Sequence, residues 1–281
     1  MTLFIRQFSA EVSKLFARKR TWMGFGAFIV LELVILLMLQ TNGAQAGFRR
    51  FLEKNGVVFE EYFGGLTLAF NMLLLTCFLL GSIYVALVGG DIVAKEIEDG
   101  TLRMTLCRPV SRLRVLALKY FACLLYTFVL VAFVGVTALA TGYAWRGLGG
   151  LCALVPEERF FALFDPHAGL LRYFACLPVV TLCLFSVTSL SFCFSCAQIK
   201  PAAATVLTLT VFFMDRIFRE LPYFESWKHW FLSSHTITWI NVFRSPVPWA
   251  RMSEDFLYLL GLDATFIIIG CALFLRRDFK A

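Results

Sequence analysis

From Tyr173 to Ile199 the chain carries no charged side chain, and the same holds from Thr67 to Gly90 and from Tyr120 to Trp145. As helix at about 1.5 Å per residue, each run is long enough to cross the ~30 Å hydrocarbon core of a bilayer. Lipid offers no partner to backbone polar groups, so a segment that crosses it must satisfy them internally, and a helix does so. Composition agrees: 59% of the residues are hydrophobic and only 16% are charged, against roughly 45–50% apolar in soluble domains. The chain reads as an all-α integral membrane protein.

The apolar runs place six spans at about 21–40, 67–90, 115–143, 172–198, 201–218 and 256–275, within one transmembrane domain over 1–281. The fifth is the shortest. Its uncharged core, "PAAATVLTLTVFFM", reaches span length only by including Asp215 and Arg216. It is retained because "QIK" before Pro201 has the character of a tight turn, and because six spans return the C-terminus to the starting side.

Lys and Arg then set the orientation. With the N-terminus cytoplasmic, the inner segments hold fifteen of the twenty-six bases and six acids, whereas the outer segments 41–66, 144–171 and 219–255, counted with Arg172, Asp215 and Arg216 at the span ends beside them, hold eleven of each. The net charge of +7 is a positive-inside bias rather than a nucleic-acid footprint. The expectation is a multi-pass protein of the inner (cytoplasmic) membrane with both termini cytoplasmic. Ahead of the first span, Leu3, Phe4, Phe8, Val12, Leu15 and Phe16 recur at helical spacing with bases between them. This pattern predicts an amphipathic helix lying on lipid at the inner interface, or a plain membrane anchor.

The first inner loop is unusual. "GGDIVAKEIEDGTLRMTLCRPVSR" carries eight charges in twenty-four residues. Asp91 is expected to cap a short helix whose apolar residues Ile92, Val93 and Ile97 leave Lys95, Glu96, Glu98 and Asp99 exposed. Gly100 suits its C-terminus, Thr101 caps a second turn to Cys107, and Pro109 ends that turn before Ser111 and Arg112 start the third span. A connecting loop needs only a few residues, and a mixed-charge face suits pairing with a protein.

"KEIEDGTLRMTLCRPVSRLRVLALKY" resembles the segment after the second span in type-2 ABC transporter permeases. Glu96, Glu98, Gly100, Thr101, Leu102, Leu106, Arg108, Pro109, Ser111 and Arg112 stand at matching positions, with Lys119 where that family commonly has a lysine entering the membrane. The resemblance implies a six-helix bundle with an N-terminal interfacial helix and a cytoplasmic coupling helix between spans 2 and 3. It also implies pairing with a second permease subunit, the same or related, and two separate ABC ATPase subunits that bind ATP and Mg and drive export. Glu96, Glu98, Gly100, Thr101, Arg108 and Pro109 would form the coupling element. The chain itself has no G-x-x-x-x-G-K-[ST] phosphate loop, so no cofactor is expected on it. A stand-alone membrane enzyme or scaffold is the alternative from a different class, and it would work without an ATPase.

Enzymatic signals are sparse. Nine cysteines include a C-x-x-C at Cys193 and Cys196, inside the fourth span, while His167, His229 and His235 fall in outer segments. A zinc site would need four ligands converging, so no metal is expected. The outer segment 219–255 carries Trp227, Trp230, Trp239 and Trp249. Such residues favour the headgroup level, and in the resembled family this stretch often dips back into the membrane.

Two acids lie inside spans, Glu32 and Asp263. An ionisable group at bilayer depth is costly, so neither should face lipid. Each is either a packing residue bonded to Asn71, Thr76 or Ser189, or a lining group of a cargo or proton path.

Overall fold

The computed structural model describes residues 2–276 apart from 55, 57, 107–109, 148 and 159. Six helices among them are long and apolar enough to cross a membrane: Lys19–Leu39, Gly65–Glu98, Arg112–Arg146, Pro166–Cys196, Pro201–Glu220 and Trp249–Leu275. These are the first to sixth spans. A leading helix, Thr2–Ala17, precedes them. Pro166 and Pro201 open their helices at positions where the missing N–H is not needed. Pro178 is carried inside the fourth span without ending it.

The largest departure from the expected boundaries is at the second span. It does not stop near residue 90 but runs on to Glu98, passing through a π-helical turn at Cys77–Gly81. Asp91 is therefore an interior helix residue and not a cap. The other departure is a β-hairpin in the outer segment before the fourth span. Leu151–Val155 pairs antiparallel with Phe160–Phe164, in register from Leu151 opposite Phe164 to Val155 opposite Phe160. Leu151, Cys152 and Ala153 are fully buried, and the Cys152 N–H donates to Thr67 Oγ1 at 2.8 Å. Two five-residue apolar runs separated by "PEER" are too short for spans, and pairing them satisfies their backbone.

The fourth span is the centre of the bundle. Its most apolar stretch is 72% buried, against 22% for the fifth span and 17% for the sixth, so those two leave most of their side chains on the outside of the bundle. Cross-links between the third and fourth spans are hydroxylic. Thr127 meets Thr188 at 2.9 Å, Tyr120 meets Ser189 at 2.9 Å, and the Tyr173 hydroxyl donates to the Gly135 carbonyl at 2.8 Å.

The segment after the fifth span folds back into the bundle as short turns at Pro222–Trp230, Leu232–Thr236 and Thr238–Phe243. Trp239 and Phe243 are buried against Phe70 of the second span. Trp227, Trp230 and Trp249 stay exposed, so the four tryptophans divide between a buried plug and the surface. Two carboxylates hold the plug. Asp215 accepts the backbone N–H groups of Leu232 at 3.0 Å and Ser233 at 2.7 Å, and Asp255 bonds His235 Nδ1 at 2.7 Å and the Thr238 hydroxyl at 2.6 Å.

Asp215, whose charge weakened the fifth span in the sequence, is thus the cap of the plug. Asp215→Ala leaves two N–H groups without their acceptor and should cost about 1–3 kcal/mol, read as a lowered unfolding temperature of the purified protein in detergent. An unchanged transition would show that the cap contributes nothing.

Candidate functional site

The inner end of the second span holds the segment that the sequence singles out. After Glu98 the backbone turns at Gly100, whose φ of +71° is strained for any residue with a Cβ. The short helix Thr101–Leu106 follows. Arg108 and Pro109 lie outside the described residues. Ser111 then caps the third span, its hydroxyl accepting from the Arg114 N–H at 3.4 Å. The expected helix, break and helix is present in outline, but its charges are divided differently from the reading above.

Glu98 and Asp99 are exposed, as is Met104. Glu96 is not. Its side chain is turned inward onto Lys119 Nζ at 2.7 Å, and Glu11 Oε2 of the leading helix approaches the same ammonium at 2.9 Å. The Lys119 side chain is only 1% exposed. Asp91, also buried, pairs with Arg20 at 2.9 Å. The expectation of an exposed Glu96 fails because a lysine about two turns into the third span cannot reach water, and it recruits the nearest carboxylates instead. Lys14 reaches the other Glu11 oxygen at 2.9 Å. The triad joins the leading helix to the second and third spans beside the break at Gly100.

A cleft of about 450 Å³ opens between the leading helix and the short helix, lined by Gln7, Glu11, Lys14, Thr101, Met104 and Val110 among others. The cleft is mostly apolar, with Ala10, Val115 and Leu118 completing its lining, and the exposed acids Glu98 and Asp99 precede the step at Gly100.

Behind it, the second span presses on the fourth and fifth. A Cβ on Gly90 would lie 2.7 Å from Thr205 Oγ1. The Ser195 hydroxyl donates to the Gly90 carbonyl at 2.7 Å and accepts from Val93 and Ala94 N–H at 3.1 and 3.0 Å. Ser191 donates to the Ala86 carbonyl. Sequence reading did not single out these serines, although Thr188, Ser191 and Ser195 form a polar stripe at i, i+3 and i+7 on an otherwise apolar helix. Nor did it find Glu11 and Arg20, whose roles depend on partners distant in the chain.

Residues 7–215 match the family described as ABC-2 family transporter protein. The chain belongs to that family. It is a multi-pass membrane permease component of an ABC transporter. The match begins within the leading helix and ends at Asp215, so the triad, the break at Gly100, the first four spans and most of the fifth fall inside it, and the plug and the sixth span lie beyond it. No curated protein matches the permease.

The two acids at membrane depth are both turned away from lipid, as expected, and they occupy separate helix interfaces. Glu32 is fully buried; Oε1 accepts from Thr137 of the third span at 2.9 Å, while Oε2 has no hydrogen bond among the described residues. Its partner is not Asn71 or Thr76, whose side chains donate within their own helix to the carbonyls of Thr67 and Met72. Asp263 is buried near Ser186 and Ser189 of the fourth span, the second of which the sequence had offered, but its Oδ1 and the Ser186 hydroxyl have no hydrogen bond among the described residues. No contact joins the two acids among the described residues. The C-x-x-C cysteines are both buried, and no three His, Cys, Asp or Glu side chains converge for a metal among the described residues.

Burial opposes ionisation of Glu11, but the charge of Lys119 and hydrogen bonds from Lys14 and Lys119 outweigh it, and the carboxyl lies below its ordinary 4.5. A depressed carboxylate stabilises the fold above its unfolded value and loses that contribution as pH falls through the native one. Thermal unfolding of the permease in detergent should therefore be flat down to about pH 4.5 and fall below it. Lys119→Met removes one member of a buried ionic cluster, a change worth about 3–5 kcal/mol. It should lower stability at neutral pH and shrink the acid-induced fall. Equal stability of the two proteins at neutral pH would mean that the triad does not hold these helices.

Proposed function

We propose that the permease carries a substrate outward across the cytoplasmic membrane, paired with a second permease subunit, the same or related, and driven by two ATPase subunits that bind ATP and Mg. Both termini and the 91–112 segment are cytoplasmic on this reading. The ATPase docks on the stepped surface made by Glu98, Asp99, Thr101 and Met104. Gly100 sets the angle of that surface, and Arg108 and Pro109 close the element.

The observation that carries the reading is the continuity behind this surface. A single helix runs from Glu98 through the membrane to Gly65, and the triad locks its inner end to the third span and the leading helix. A push on Thr101–Leu106 is therefore delivered to three helices at once, the kind of rigid linkage that alternating access requires. Glu96 acts here as a positioning residue rather than a docking one.

Charge reversal separates these roles. Glu98→Lys with Asp99→Lys should reduce capture of the ATPase by about tenfold or more and abolish transport, while stability moves by less than about 0.5 kcal/mol because exposed charges contribute little. Glu96→Lys should instead destabilise the protein by placing a second cation on Lys119. Intact ATPase capture and transport in the Glu98/Asp99 variant would remove the docking assignment. Full function in a preparation free of any ATPase would replace it with a stand-alone enzyme or scaffold.

Both deep acids keep one oxygen unbonded in a buried site, and Glu32, the more completely buried of the two, is the first to test for a part in transport. Glu32→Gln should lower transport severalfold or change its pH dependence between about pH 5 and pH 8. Identical transport profiles for Glu32→Gln and the unmodified permease would leave Glu32 a packing residue.

A further inference from the structure

The leading helix and the third span enclose a second feature that the docking reading does not use. Arg114, Phe121, Leu125 and Phe128 recur at spacings of seven, four and three along the third span, which puts them on one helix face. Phe4 and Phe8 of the leading helix, Leu124, and Phe185 of the fourth span complete a wholly apolar groove of about 430 Å³, within the ~300–1,000 Å³ typical of small-ligand sites. Phe4, Phe121 and Phe128 are about half exposed along it. At its interfacial end the Arg114 guanidinium lies over the Phe4 ring at 5.8 Å. Arg114 Nε is buried and has no hydrogen-bond partner among the described residues.

A buried guanidinium nitrogen without an acceptor calls for one, and the guanidinium fork matches a phosphate bidentately, as it does a carboxylate. The groove below it lies along a membrane-spanning helix, where hydrocarbon is the surrounding medium. From Arg114, Phe121 lies about 10 Å and Phe128 about 21 Å along the helix, so the apolar stripe covers the depth that an acyl chain occupies in one leaflet. Arg6, exposed on the leading helix, adds positive charge to the same interface, whereas Glu11, the acid of that helix, is already engaged by Lys119 and Lys14.

We propose that this groove is a specific site for one anionic phospholipid, its phosphodiester on Arg114 and an acyl chain along Phe121, Leu125 and Phe128, clasped by Phe4 and Phe8. The bound lipid ties the leading helix to the third span on the side opposite the Lys119 triad. The inference is independent of ATPase docking.

The test is native mass spectrometry of the full chain released from detergent after incubation with phosphatidylglycerol or with phosphatidylcholine of the same acyl chains. The unmodified protein should retain one phosphatidylglycerol in preference to phosphatidylcholine. Arg114→Gln should cut that preference on the order of tenfold, the size of one charge-assisted hydrogen bond. Phe128→Ala should weaken both lipids alike, and Arg6→Gln should change the preference little. Three results would overturn the proposal: an unchanged headgroup preference in Arg114→Gln, an equal loss in Arg6→Gln, which would make the attraction a general surface effect, or displacement of the lipid by millimolar inorganic phosphate, which would make it a free-phosphate site. Because the Arg6 variant alters only an exposed side chain, the comparison stands even if Phe128→Ala folds poorly.

Discussion

Lys119 has almost no contact with water, so its ammonium must find compensating charge within the protein. It finds it in Glu96 and Glu11, eighty-five residues apart in the chain. An ionic cluster of this kind adds little net stability, because desolvation of the charges offsets their attraction, yet breaking it is costly. Its effect is to specify geometry. The leading helix cannot slide along the interface, the second span cannot end earlier than Glu98, and the third span cannot rotate without stranding a buried cation. The exposed step at Gly100 and Thr101–Leu106 inherits its position from that arrangement.

Deeper in the bundle the same problem is solved without charge. Where lipid surrounds the protein, helices gain little from burying more apolar surface and associate through close packing and hydroxyl bonds. The fourth span shows both devices. Ser191 and Ser195 bond to the backbone of the second span where Gly90 allows close approach, and Thr188 and Ser189 bond to hydroxyls of the third. Glu32 departs from this pattern by keeping one oxygen unbonded in a fully buried position. Asp263 Oδ1 is likewise unbonded, so both deep acids stand apart from the hydroxylic contacts around them.

At the outer end, carboxylates again do the joining. Asp215 and Asp255 hold the Leu232–Phe243 plug between the fifth and sixth spans, and Trp239 and Phe243 fill the space beside Phe70. The permease is therefore fastened by ions and capped turns at its two faces, with a middle of apolar and hydroxylic contacts. Motion between inward and outward openings has fewer strong bonds to break in the middle than at either end.

The sequence by itself determined the six spans, the amphipathic leading helix, the turn at Gly100 and the family, because apolar length, helical period and a positive-φ glycine are local properties written in consecutive residues. It also showed that Glu32 and Asp263 avoid lipid, since the cost of a charge at depth does not depend on fold details. Only the tertiary structure decided which charges of the 91–112 segment are available to a partner. Glu96 and Glu98 are two residues apart and chemically alike, but successive helix positions point about 100° apart, so one meets Lys119 and the other meets solvent. The hairpin at Leu151–Phe164 and the inward turn of Trp239 were hidden for the same reason: short apolar runs outside a span take their structure from the surface they cover, and that surface is assembled from helices that neighbour one another in space and not in sequence.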